Sequence, residues 1–277
     1  MDPIEPLNPV AIAVAPNGGR RTKSDHPALP MTVVELAATA SGCAEAGASM
    51  IHLHVRDKEG RHLLDADAYR QALASVRTAV GDRMVIQITS EALGIYEPEE
   101  QMRVVRDVRP EAVSLALREL APDEAHEPSF GTFLDWLRKE GVTPQIILYS
   151  PEEVLRLAAL QKRGLIPFEN LPVLYVLGRY TATQTSRPDD LLPFLGANMP
   201  VFGHWMTCAF GRHETACVAA GALLGGHARV GFENNLFLPN GEQASANEDL
   251  VAAARQAISA CGMAIADADA LRASWNR

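Results

Sequence analysis

Eight short, almost continuously apolar runs recur along the chain, separated by longer stretches with amphipathic helical spacing. They cover residues 10–16, 49–55, 84–90, 112–117, 145–149, 172–177, 201–206 and 228–232. Runs this short, apolar on both faces, read as strands of a parallel sheet covered on both sides. Candidate helices lie between them at 66–80, 97–108, 129–140, 151–164, 188–196 and 214–224. A further helix opens with Thr32-Val-Val-Glu35, the pattern of a capping box, and ends near Gly47; another opens with Ser245-Ala-Asn-Glu248. Eight strands each followed by a helix is the (β/α)8 count. The expected fold is therefore an α/β TIM barrel, with residues 1–277 as one domain. A doubly wound open sheet competes, but it usually has fewer strands, and no G-x-G-x-x-G follows the first run.

Charge and cysteine usage narrow the partners. Asp plus Glu number 34 against 25 Lys plus Arg, a formal charge of −9. So acidic a chain lacks the basic field that nucleic acid requires. No apolar run approaches the length of a membrane span. Met1-Asp2-Pro3-Ile4-Glu5-Pro6 has neither the basic nor the apolar region of a signal peptide. Cys43, Cys208, Cys217 and Cys261 form no C-x-x-C pair and read as reduced thiols. The expected location is the cytoplasm. The longest piece without a helical or strand pattern is 17–31, after the first run. A loop of that length in a compact domain is usually functional, and in a barrel it stands at the catalytic face.

The strongest chemical signal is His52-Leu53-His54 at the end of the second run. Strand side chains alternate, so both imidazoles point to one side, about 6–7 Å apart along the chain. Facing the barrel axis, they form a metal pair; the alternative is two buried histidines hydrogen-bonded to neighbours. An open catalytic metal site needs a third ligand, commonly a carboxylate. Arg229-Val-Gly-Phe-Glu233 ends the eighth run, and period two puts Arg229, Gly231 and Glu233 on one face. In a closed barrel Glu233 then meets the pair. Two imidazoles and a carboxylate suit Zn²⁺ best, with Mn, Fe or Ni as alternatives. Without the histidines, Glu233 would read as an ion-pair partner of Arg229 or Arg56. Arg56 continues the histidine face as a candidate supporting partner.

The chain resembles the beta-keto acid cleavage enzyme family along nearly its whole length. The resemblance rests on Ala15-Pro-Asn-Gly-Gly19, Thr22-Lys-Ser-Asp-His-Pro-Ala-Leu-Pro30 and Glu45-Ala-Gly-Ala-Ser-Met-Ile-His-Leu-His-Val-Arg-Asp57. It continues through Gln87-Ile-Thr-Ser90, Gly211-Arg-His213 and Gly225-Gly-His-Ala-Arg-Val-Gly-Phe-Glu-Asn-Asn235. It implies a TIM barrel whose His52, His54 and Glu233 hold zinc, a Lewis acid for a keto oxygen. It also implies a reaction in which a β-keto acid and acetyl-CoA become acetoacetate and a new acyl-CoA. Arg229 would stabilise negative charge, and Thr89 and Ser90 would contact the substrate carboxylate. Asn17 and Arg20, in the first loop, would face substrate.

Departures from the family pattern point to a divergent subgroup. The family reads Gly-Phe-Glu-Asp-Asn, where this chain has Asn234, and an amide cannot act as a general base. Where the family ends its third strand in paired glycines, this chain has Thr89-Ser90-Glu91-Ala92, and Ser114-Leu-Ala-Leu-Arg-Glu119 lacks the family's Asn-Ala-Gly. Glu91, on the face of Val85, Gln87 and Thr89, is the candidate replacement base; otherwise it is a solvated glutamate or a partner of Arg118. Arg20 stands where one member binds a substrate amine, which argues for an acidic or polar tail. Arg212 precedes a helix after the seventh run, where barrels often bind phosphate, here that of CoA. Two alternatives remain: an aldolase or lyase that does not need CoA, and a non-catalytic metal-holding barrel that binds a carboxylate. A homo-dimer or homo-tetramer is expected, with 260–277, including Trp275, as the contact element.

Overall fold

In the computed structural model, which describes residues 7–275, the apolar runs pair side by side in chain order and close on themselves. The strands are β1 (Val10–Val14), β2 (Met50–Leu53), β3 (Val55–Arg56), β4 (His62–Leu63), β5 (Val85–Thr89), β6 (Ala112–Ala116), β7 (Thr143–Leu148), β8 (Val173–Leu177), β9 (Trp205–Ala209), β10 (His227–Val230) and β11 (Ile265–Ala266). The helices are α1 (Val33–Ala46), α2 (Ala66–Val80), α3 (Pro98–Val108), α4 (Leu117–Leu120), α5 (Glu127–Glu140), α6 (Pro151–Lys162), α7 (Glu214–Leu223), α8 (Asn247–Ala260) and α9 (Ala268–Trp275). Strands β1, β2 and β5 to β10 run parallel, and β10 pairs with β1 through Ala13 and Arg229 to complete an eight-stranded TIM barrel. Residues 1–6, on which the leader reading rests, and residues 276 and 277 of the expected contact element lie outside the described residues.

Alternation sorts the strand residues into two apolar layers. Val10, Ile12, Val14, Ile86, Ile88, Val113 and Leu115 face the helices. Ala11, Ala13, Met50, Val85, Ala112, Leu174 and Met206 face the axis and fill its lower half. Continuing the axial face upward gives His52, Gln87, Thr89, Ser114, Gln145 and Arg229, all buried. Buried polar groups require partners, so this upper layer must form a hydrogen-bonded or liganded network.

Three local expectations change. The seventh strand is Trp205–Ala209 rather than 201–206, because its register is set by pairing Val173 with Trp205 and Leu177 with Ala209; Val201 is 93% exposed. The expected helix at 188–196 is a 3-10 turn, Pro188–Phe194, since Pro193 removes a helix donor and crowds the preceding turn. Helix α8 begins one residue later than the Ser245/Glu248 pattern suggests. Asp249 caps it by accepting from the N–H groups of Ser245 and Ala246 (2.8 and 3.1 Å). The Thr32/Glu35 capping box forms as expected, with both reciprocal bonds present.

Strand β11 adds to the start of β1, and α9 buries Ala268 and Leu271 against the base of the barrel. The apolar part of the C-terminal stretch is thus packed within the chain. Cys43, Cys208 and Cys217 are buried, Cys261 is exposed, and none forms a disulfide. No helix among the described residues is long and apolar enough to cross a membrane.

Candidate active site

His52 is the axial residue of β2, and His54 follows where β2 gives way to the short β3–β4 hairpin. Their Nε2 atoms lie 3.2 Å apart, and Glu233 Oε2 is 3.5 and 3.4 Å from them. Glu233 reaches this point by a different route from strand alternation. Strand β10 ends at Val230, and Gly231 turns the chain at φ +135° with its α-carbon packed on the Ala15 carbonyl, where a Cβ would come within 2.4 Å. The N–H of Glu233 then donates to the Ala15 carbonyl (3.0 Å), and the side chain swings back over the barrel mouth. The turn is pinned from behind: Glu214 accepts from the Gly231 N–H and Asn235 Nδ2, and Asn247 accepts from the Phe232 N–H.

The hydrogen bonds decide which imidazole nitrogens are free. Gln87 Nε2 donates to Gln145 Oε1, which leaves Gln87 Oε1 to accept from His52 Nδ1 (2.8 Å). His62, on β4, donates through Nε2 to the Glu91 carbonyl (2.7 Å). Its Nδ1 therefore accepts, and His54 Nδ1 is the donor toward it at 3.5 Å. Both Nε2 atoms are left as lone pairs aimed at Glu233 Oε2, which has no hydrogen-bond partner among the described residues. Burial lowers His52 to about 4 and His54 to about 3, so both rings are neutral. Burial opposes the Glu233 charge, but the Arg229 guanidinium holds its pKa well below the ordinary carboxylate value.

Three acceptors facing one another without a proton between them repel unless a cation lies among them. Ligand atoms on a tetrahedral ion with bonds near 2.1 Å are about 3.4 Å apart, the spacing found here. His52, His54 and Glu233 could thus hold one metal ion. Gln87 and His62 are the outer partners that fix ligand tautomers in such sites.

The other expected residues are placed unevenly. Arg229 donates to Glu233 Oε1 (3.1 Å) and to Cys208 Sγ (3.4 Å), leaving Nε and Nη1 without partners among the described residues. Thr89 and Glu91 border the same cavity. Glu91 lies 3.8 Å from His54 Nδ1 and 4.0 Å from Arg179, and burial, followed by repulsion from Glu233 and Glu119, pushes it up to about 7. Asn17 is occupied in positioning: its amide accepts from the His54 N–H and donates to the His54 and Pro30 carbonyls. Ser90 turns away, donating to the Ser114 carbonyl (3.3 Å). The Asn234 side chain is fully buried and borders neither cavity at the mouth. Arg56 binds the carbonyls of Gly18, Gly60 and Arg21 and so secures the first loop. Arg20 lines a chamber of about 90 Å³ above the histidines, and Arg212 an adjoining cleft of about 490 Å³.

Several wall residues carry no sequence signal of their own. Tyr149, Arg179 and Phe210 follow β7, β8 and β9 and form the wall opposite the histidines. Each stands one or two residues beyond a strand end, the position from which barrel enzymes recruit active-site groups.

Comparison with known proteins matches this chain to a family. A sequence profile of the beta-keto acid cleavage enzyme family aligns with residues 9–276. The 3-keto-5-aminohexanoate cleavage enzyme of Fusobacterium nucleatum is 30% identical over 271 residues, covering 96% of this chain and 97% of its own. The 3-oxoadipate:acetyl-CoA acetyltransferase of Cupriavidus necator is 26% identical, covering 88% of this chain and 86% of its own. Among solved structures, the ternary complex of ObcA with a C4-CoA adduct and oxalate superposes with a TM-score of 0.72 at 18% identity, over 91% of this chain and 68% of that one, a likeness of fold. The profile spans the described barrel from β1 to α9, and with it the chain belongs to the beta-keto acid cleavage enzyme family.

Proposed function

We propose that this chain is a zinc-dependent acyltransferase that converts a β-keto acid and acetyl-CoA into acetoacetate and a new acyl-CoA. The carrying observation is the set of three proton-free ligand atoms, His52 Nε2, His54 Nε2 and Glu233 Oε2, at 3.2–3.5 Å in the barrel mouth. The acetyl-CoA-dependent names of relatives, including the 3-dehydrocarnitine:acetyl-CoA trimethylamine transferase of Rhizobium meliloti at 28% identity, support the reaction class.

Zinc, when bound by these three residues, supplies a Lewis acid at the keto group. The chain's residues do the rest. Glu91, bordering the cavity beside Thr89, takes the proton from the carbon between keto and carboxylate groups. Arg229, charged and buried with two unpartnered nitrogens, stabilises the negative charge that results. That carbon attacks the acetyl thioester, and CoA leaves as its thiolate. The thiolate then adds to the original keto carbon. The C–C bond breaks, Glu91 returns its proton to the departing carbon, and acetoacetate and the new thioester are released. Arg212, exposed in the 490 Å³ cleft beside Gly211 and Phe237, meets a CoA phosphate. The chain acts in the cytoplasm as a single-domain homo-dimer or homo-tetramer; α7 exposes Leu223, and Leu192 and Leu224 beside it are exposed as well, apolar area that favours self-association.

The test is a panel of β-keto acids incubated with acetyl-CoA and zinc-loaded protein, read by mass spectrometry. Acetoacetate and a matching acyl-CoA are expected. Cleavage without acetyl-CoA would favour an aldolase, and no cleavage with full metal content a binding barrel.

A further inference from the structure

The wall opposite the metal ligands carries a second cation that the reaction does not use. Arg179 follows β8 after Gly178, where the backbone turns at φ +75°. Its guanidinium lies 5.1 Å from the Phe210 ring centroid and 5.9 Å from that of Tyr180. Tyr180 meets Tyr149 edge to face at 5.1 Å, and Arg118 covers both rings at 4.5 and 4.8 Å. Arg118 is anchored by Glu153 at 2.6 Å. Cations and rings thus alternate, and the stack holds Arg179 in place.

Yet Arg179 makes no side-chain hydrogen bond among the described residues. Its side chain is only 14% exposed, and the nearest carboxylate, Glu91, is 4.0 Å away, too far for a hydrogen bond. A half-buried guanidinium whose donors have no protein partner among the described residues is well placed to take a carboxylate into its fork. Arg20, exposed and without an ion pair among the described residues, lines the same chamber. Arg229 already stands on the metal side for the first negative charge. The cavity therefore presents anion receptors on two opposite walls.

We infer that the substrate is a β-keto dicarboxylate, whose distal carboxylate is bound by Arg179 with Arg20 at the mouth. This rests on the β-keto acid reading above. A neutral tail would leave the Arg179 fork unpaired, and an amine tail would face two like charges. A CoA phosphate does not fit this role, because the pantetheine arm separates it from the thioester by more chain than separates Arg179, through Glu91, from His54.

The experiment compares kcat/KM for a straight-chain β-keto dicarboxylate, its neutral terminal amide and its terminal amine, in wild type, Arg179→Met and Arg179→Lys. The wild type should prefer the dicarboxylate over the amide by about 100-fold or more. Arg179→Met should lose that preference, read as the ratio of kcat/KM on the dicarboxylate to that on the amide so that any effect on Glu91 cancels, and Arg179→Lys should restore part of it. Equal wild-type rates on dicarboxylate and amide would overturn the inference. So would a proportional loss on both in Arg179→Met, which would mean that Arg179 holds the reacting carboxylate. Calorimetric titration with unreactive alkanedicarboxylates against monocarboxylates gives a readout independent of turnover. If no β-keto acid is cleaved at all, the reaction reading fails. The inference then stands or falls on whether Arg179→Met abolishes a dicarboxylate preference in binding.

Discussion

Replacing Gln87 with leucine tests the ligand-orienting network without touching a ligand. The substitution removes the acceptor of the 2.8 Å bond from His52 Nδ1 and the donor of the 3.2 Å bond to Gln145 Oε1. All three residues are buried, so two polar groups lose partners that water cannot replace. Each costs about 1–3 kcal/mol, for a total stability loss of about 2–6 kcal/mol in the metal-free protein. His52 also becomes free to carry its proton on Nε2, the atom that faces Glu233. Loss of such an outer partner lowers metal affinity by about 10–100-fold. Gln87→Glu should act in the opposite direction on the metal, since a carboxylate is a stronger acceptor for the His52 N–H. Gln145 Nε2, unpartnered among the described residues, becomes available to the new carboxylate if the amide turns over. Zinc competition against a chromophoric chelator, with thermal melts of the apo proteins, measures both effects. A zinc affinity for Gln87→Leu within about threefold of wild type, alongside the expected drop in melting temperature, would refute the orienting role.

Glu91→Gln should lower turnover by about 10²–10⁴-fold with unchanged metal content, while Asn234→Asp is tolerated; steady-state kinetics and elemental analysis check both. His204, 5% exposed and lowered by burial from 6.5 to about 3, is neutral in the fold but protonated in the unfolded chain at acid pH. Its contribution is present above pH 6.5 and lost toward pH 3, at up to about 1.4 kcal/mol per pH unit, so His204→Leu should flatten stability against pH in urea titrations between pH 4 and 7. An unchanged slope would contradict this. Light scattering at micromolar concentration should give a dimer or tetramer mass rather than about 30 kDa.

The barrel was readable because its strands are buried on both faces, which writes each as an apolar block. Block edges were less readable. From Val201 to Ala209 the chain is nearly all apolar, and only pairing with β8 selects Trp205 as the start of β9. His52 and His54 were legible from their spacing alone. Glu233 was reached by assuming that β10 continues, whereas a glycine turn delivers it, and composition does not reveal that turn. The Gln145–Gln87–His52 and His62–His54 contacts join residues 58, 35 and 8 positions apart, and two of these three separations have no local pattern. Arg179 was missed because an arginine after a strand resembles any surface arginine until its rings are found around it.

The rim of the barrel divides its labour by strand. The metal-facing residues His52, Gln87, Arg229 and Glu233 sit on or just after the adjoining strands β2, β5 and β10, tied together with β1 by Asn17 and the Ala15 carbonyl. Tyr149, Arg179 and Phe210 project from loops after β7, β8 and β9 and hold one another by stacking. Among the described residues, Glu91, the deep Gln145 contact and the Arg229–Cys208 contact bridge the two groups. Substitution within the second group removes no hydrogen bond to His52, His54 or Glu233 among the described residues, so the wall and the ligand triangle can be varied separately by mutation. For protein engineers, residues 149, 179, 180 and 210 form a compact cassette for redirecting the enzyme toward new keto acids.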